Sequence, residues 1–161
     1  MSGTEPAGKL ALALLRVPVP WVFVLTYLMG AGLESMFHFG KLADYSFLTP
    51  TGVVVFLLGA ALAAWGWLIF QRRGTTRVPG EISTTLVTWG PYRFTRNPMY
   101  VGLTMAYVGE ACILHQIIPV ILLPFTILYL NRNVIPLEEE RLRTIFGDAY
   151  GRYADSVRRW L

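Results

Sequence analysis

The chain has 161 residues, 54% of them hydrophobic and only 15% charged, with a mean hydropathy of +0.48 and a net charge of +4. A soluble domain carries about a quarter charged residues. Here the charges cluster between apolar runs, as where lipid replaces water, which excludes an ordinary soluble enzyme. With no basic stripe interleaved with aromatic residues, nothing in the chain reads as a nucleic-acid surface.

Residues 1–16 pass from a polar start into an apolar patch interrupted by Lys9 and Arg16, without the cleavage site of a secretory signal. Four hydrophobic stretches follow: Val17–Phe39, Thr51–Phe70, Pro98–Leu114 and Gln116–Ile135. About 20 helical residues cross the hydrocarbon core, so the first, second and fourth are long enough. The third begins inside the interface or spans incompletely. The expected fold is therefore all-α, a single polytopic membrane domain of about four transmembrane helices. Between the second and third stretches, Gly74–Trp89 mixes Thr, Ser, Gly and Pro with little apolar periodicity and reads as a loop or interfacial segment rather than a span. Cys112, the single cysteine, excludes an internal disulfide and a cysteine-rich metal site, and reads as a packing residue.

Beyond Ile135 the chain turns amphipathic. Pro136 suits a first helical turn, and Glu138-Glu139-Glu140 favours the positive end of that helix. Gly147-Asp148 reads as a stop and a new N-cap. Tyr150, Tyr153 and Val157 then line one face of a second short helix, with Arg152, Arg158 and Arg159 elsewhere. Such a basic amphipathic tail is expected on the cytoplasmic membrane surface. If both termini and the 71–97 segment are cytoplasmic, thirteen of the fourteen basic residues lie on that side, as the positive-inside bias requires.

Two constellations could carry chemistry. In Gly90-Pro-Tyr-Arg-Phe-Thr-Arg-Asn-Pro-Met-Tyr-Val-Gly102, two arginines, Asn97 and two tyrosines crowd the entrance of the third stretch. Pro98 fixes its first turn, whose free backbone donors suit an anionic ligand group. Gly102 removes a side chain where a ligand or a neighbouring helix comes close. The second is Glu138-Glu139-x-x-Leu142. Adjacent helical residues lie about 100° apart, so one glutamate can face a ligand while the other bonds an arginine such as Arg93 or Arg96. Taken singly, the first reads as an interfacial anchor and the second as a solvated helix start.

Together, Gly-Pro-Tyr-Arg-Phe-x-Arg-Asn-Pro-Met-Tyr-x-Gly and the later Glu-Glu-x-x-Leu-x-x-x-Phe-Gly-x-x-Tyr-x-x-Tyr resemble the isoprenylcysteine carboxyl methyltransferase and phospholipid methyltransferase superfamily. The resemblance covers roughly residues 85–160; residues 1–84 share only hydrophobic spans and a loop. It implies an S-adenosylmethionine-dependent membrane methyltransferase acting on a lipophilic or membrane-embedded acceptor: an isoprenylcysteine-type carboxylate, a lipid amine or a small thiol. The implied cofactor-binding residues are Tyr92, Arg96, Asn97, Pro98, Tyr100, Gly102, Glu138 and Glu139, with Arg96 and Glu139 the catalytic candidates. Many relatives have His where this chain has Asn97, which can hydrogen-bond but not titrate, so proton transfer at this position is excluded. The two glutamates could hold the cofactor or take a proton from an amine acceptor.

Two alternatives stand beside this reading: an NADPH-dependent enzyme of the sterol reductase type, and a non-catalytic membrane scaffold. Glu34, His38, Glu110 and His115 map toward the side opposite the two motifs and are expected to be interfacial or hydrogen-bonded. They have no metal-ligand spacing. Gly30-Ala31-Gly32 and Gly59-x-x-x-Ala63 read as helix-packing sites. Gly30-x-Gly32 also resembles a glycine pair credited with cofactor binding in phospholipid methyltransferases.

Overall fold

A computed structural model describes residues 18–37, 45–72 and 85–161. Its elements are α1 (Val19–Phe37), α2 (Leu48–Arg72), a 3-10 turn (Gly90–Arg93), α3 (Pro98–Ile113), α4 (Ile118–Tyr129), a π turn (Leu130–Val134), α5 (Ile135–Phe146) and α6 (Asp148–Ser156). No strand occurs among the described residues, as the all-α expectation requires. His38 and the basic residues of 1–16 lie outside the described residues.

Three stretches are long and apolar enough to cross a membrane: Val19–Phe37, Leu48–Ile69 and Ile118–Phe146. α3 has 16 residues, about 24 Å at 1.5 Å per residue, short of the roughly 30 Å hydrocarbon core. This is the shortfall its sequence led us to expect. Trp21, Leu28, Met36, Leu57, Leu58 and Phe125 are all more than half exposed. In water so much bare apolar surface would be costly; against acyl chains it is not. The chain is an integral membrane protein.

α2 and α3 lie close together because each sets glycines at their contact. A Cβ on Gly59 would lie 2.6 Å from the Gly102 carbonyl oxygen, and one on Gly102 would lie 2.6 Å from the Ala63 backbone nitrogen. Gly52 and Gly109 meet in the same way two turns along. In lipid, where burial gives helices little drive to associate, such close approach is what holds them. Gly30 does the same for α1: a Cβ there would lie 2.9 Å from Pro119 backbone. The packing reading of both small-residue motifs therefore holds, and Gly32 has nothing within 4 Å.

Glu34 is buried, and its Oε2 accepts from the Ile117 and Ile118 amides at 2.9 and 3.0 Å. It thus satisfies two of the orphan donors at the start of α4. His115 Nε2 lies 3.0 Å from Thr49 Oγ1. These contacts give both residues the hydrogen-bonded roles anticipated for them.

One boundary differs from the sequence reading. Pro136 does not open a separate helix, because α4 runs through the π turn into α5 without a break. Proline has no N–H for the carbonyl four residues back and its ring crowds that turn. Here the Ile135 amide bonds to the Leu130 carbonyl, five residues back, and the widened turn makes room for the ring.

Two cores result. Phe23, Tyr27, Tyr107, Leu123 and Leu130 fill the space between α1, α3 and α4. Ile69, Val87, Tyr92, Tyr150 and Tyr153 form a second core where the end of α2 meets the 85–93 segment and α6. α6 is amphipathic as expected, and its apolar side closes on Val87 and Tyr92 of the protein itself. Arg152 and Arg158 stay exposed.

Candidate functional site

The second core roofs a cleft of about 520 Å³, including its solvent-open mouth. Tyr92, Arg96 and Asn97 line it from the first motif, and Glu138, Glu139 and Leu142 from α5. Leu86, Val87 and Phe146 add apolar walls, and Tyr150 and Tyr153 close it. The two motifs, some forty residues apart in sequence, thus meet at one place.

The 3-10 turn starts at Gly90, whose φ of +64° suits glycine and lets it sit against Ile69. It buries Tyr92, whose carbonyl accepts from the Tyr153 hydroxyl at 2.9 Å. Residues 95–97 are then laced to the C-terminus. The Arg96 amide donates to the Arg158 carbonyl at 2.9 Å. Thr95 Oγ1 and Asn97 Nδ2 both donate to the Arg159 carbonyl at 3.0 Å. Part of the hydrogen-bonding capacity of Asn97 is therefore spent on backbone.

Glu139 is buried between two guanidiniums. Arg159 donates from Nε to Oε1 at 3.0 Å and from Nη2 to Oε2 at 2.7 Å, and Arg96 Nη2 lies 3.3 Å from Oε1. Glu138, half-buried, accepts from the Tyr100 hydroxyl at 2.7 Å. Glu140 and Arg93 are exposed. Of the two arginines suggested as partners, Arg96 is the one ion-paired to a glutamate of the pair, and the glutamate is Glu139. Among the described residues, the buried Arg96 Nε has no hydrogen-bond partner.

The remaining candidates stand outside the lining. Pro98 occupies the first turn of α3 and is fully buried. Tyr100 meets the cleft through its hydrogen bond to Glu138. Gly102 faces α2, so the close approach it serves is that of a helix.

Arg159 is the member that sequence reasoning left among the outward-facing basic residues. It instead turns inward on Glu139. Its neighbour Trp160 donates from Nε1 to Asn131 Oδ1, in the π turn, at 2.8 Å. The hydrogen bond to Glu139 raises the Arg159 pKa above the ordinary arginine value. Burial raises the Tyr150 phenol, with the Glu139 charge adding to it, and burial raises Tyr153 further.

Residues 48–149 match the model of a family described as phospholipid methyltransferase, and the chain belongs to that family. It is 27% identical over 145 residues to a probable protein-S-isoprenylcysteine O-methyltransferase of Oryza sativa subsp. indica, an alignment covering 89% of this chain and 76% of the relative. It is 25% identical over 153 residues to protein-S-isoprenylcysteine O-methyltransferase B of Arabidopsis thaliana, covering 94% and 78%. No solved structure matches. The protein is thus an integral membrane methyltransferase working on a membrane-associated acceptor. The reductase and scaffold alternatives find no support in these matches.

Proposed function

We propose that the chain transfers a methyl group from S-adenosylmethionine to a lipophilic carboxylate of the isoprenylcysteine type, with the donor held in the cleft. The observation that carries this is Arg96: it lines the cleft, and among the described residues its buried Nε has no partner while Glu139 takes one contact from its guanidinium. A buried guanidinium donor left unsatisfied in a cleft is a place for an anion. Glu138 lines the same cleft as a carboxylate held by Tyr100, and suits an ammonium group or ribose hydroxyls. Leu86, Val87, Leu142 and Phe146 supply apolar wall for a heterocycle. The donor set therefore fits a ligand with one anionic, one cationic and one aromatic part.

When bound, S-adenosylmethionine supplies a methyl group activated on a sulfonium. The task of the chain's residues is then to bind, orient and exclude water, and orientation alone can supply about 7–11 kcal/mol. Glu139, engaged by two arginines, serves as an anchor. Glu138 is the carboxylate left to accept a proton where an acceptor has one to lose. A carboxylate acceptor has none, and the names of the plant relatives support that class over a lipid amine. The basic residues of 71–97 and 132–161 support a cytoplasmic site, with the acceptor reaching it from the bilayer.

Calorimetric titration of the detergent-solubilised protein with S-adenosylmethionine tests the donor. Saturable binding that NADPH does not displace is expected; no binding by well-folded protein overturns the proposal. Arg96→Ala should weaken binding by about tenfold or more, the loss of one charged hydrogen bond. Incubation with radiolabelled donor and either S-prenylated cysteine or a lipid-amine extract then identifies the acceptor.

A further inference from the structure

We propose that Arg159 is a positioning residue, which occupies the Glu139 carboxylate so that Arg96, held there by a single contact, keeps a donor for the carboxylate of the methyl donor. The inference rests on the S-adenosylmethionine reading above and concerns how the site is kept open.

The geometry is asymmetric. Arg159 engages both Glu139 oxygens, at 3.0 and 2.7 Å, whereas Arg96 reaches one, at 3.3 Å. A two-point arginine–carboxylate pair is the stronger form, and the raised Arg159 pKa follows from it. Two guanidiniums share one anion here, so the trio carries a net positive charge. Its buried donor without a partner among the described residues is Arg96 Nε. Without Arg159, both Glu139 oxygens would be available to Arg96. A two-point pair between them would satisfy Nε and cancel the positive charge in the cleft.

Arg159 is also held where this competition requires it. Its carbonyl accepts from Thr95 and Asn97, on either side of Arg96, and the preceding carbonyl accepts from the Arg96 amide. Trp160 ties the next residue to Asn131. The terminal segment is thus fixed to the stretch that bears Arg96 and to the helix that bears Glu139.

The test compares, on the full chain in detergent, the affinities of S-adenosylmethionine and of its decarboxylated form. The wild type should bind the decarboxylated ligand about tenfold or more weakly, the worth of one charge-assisted contact. In Arg159→Met that preference should fall to within about twofold, because Glu139 now claims Arg96. Arg159→Lys keeps the charge but grips at one point, and should fall between the two. Thermal melting checks that each variant is folded. If Arg159→Met does not fold, Arg159→Lys decides alone, and an undiminished preference there overturns the inference. Should the wild type bind S-adenosylmethionine and Arg159→Met keep the full preference, the positioning role is overturned and the donor assignment stands. A folded wild type that binds neither ligand overturns the donor assignment and this inference together.

Discussion

Removing the Glu139 side chain strands the Arg96 and Arg159 guanidiniums beside each other. Breaking a buried pair by taking away one partner costs about 3–5 kcal/mol. Arg159 keeps a third of its side-chain surface in solvent, so the lower figure applies. Glu139→Leu should therefore lose about 3 kcal/mol, read as a fall in melting temperature or denaturant midpoint. Glu139→Gln keeps an acceptor of the same shape and should cost about 1–2 kcal/mol, remaining folded while it weakens donor binding. At this scale the sequence shows some roles and hides others. The glutamate pair and the Arg96 segment stand out only together, through their order and spacing, since each alone reads as ordinary membrane-boundary sequence. Arg159 is not, since among Arg152 and Arg158 in an amphipathic tail nothing local marks the one that turns inward. Its direction is set by Glu139, twenty residues away. Gly102 shows a different limit. A glycine one turn into a helix signals close approach, and only the fold says that the approaching group is Ala63.

Among the elements, the α2–α3 contact makes the sharpest demand on side-chain size. A leucine at Gly102 would have to enter space held by Ala63 and the Gly59 carbonyl, which are backbone or nearly so and cannot yield. Gly102→Leu should cost about 3 kcal/mol, the upper end for overpacking, and shift the protein off its monodisperse elution in detergent. Gly32→Ala, with nothing within 4 Å of the new methyl group, should be neutral or stabilising by about 0.5–1 kcal/mol through helix propensity. The spans themselves are legible in hydropathy, which reports the solvent around a helix directly. Boundaries that depend on backbone geometry are less so. Pro136 carries the signature of a helix start, and only the π turn before it explains why the helix continues.

In the molecule as a whole, one core lies between the apolar helices and the other closes the cleft, and the second is sensitive to pH. Tyr150 and Tyr153 are buried in it with pKa values raised by desolvation above the ordinary value of about 10. A raised folded-state pKa means the folded protein holds its phenolic protons more tightly than the unfolded chain. Their contribution is complete below about pH 10 and is lost progressively above it, because only the unfolded chain ionises freely there. Melting temperatures from pH 8 to 11.5 should therefore be flat at first and fall beyond about 10. Tyr153→Phe, though it forfeits the hydrogen bond to the Tyr92 carbonyl, should fall less steeply over that range.

The π turn at Leu130–Val134 has one further effect, on rotational phase. An extra residue in an unbroken α-helix turns everything beyond it by about 100°, and the widened turn absorbs that rotation instead of passing it on. Glu138 and Glu139 thereby keep the azimuth of a helix one residue shorter. Deleting Asn133 should turn the segment into ordinary α-helix, leave Glu139 facing Arg96 and Arg159, and preserve donor binding. Inserting an alanine at the same point adds a residue that the turn has no room to absorb. Glu139 should then swing by about 100° and donor binding vanish while the helical circular dichroism persists, as a clock hand slips by one tooth of its gear.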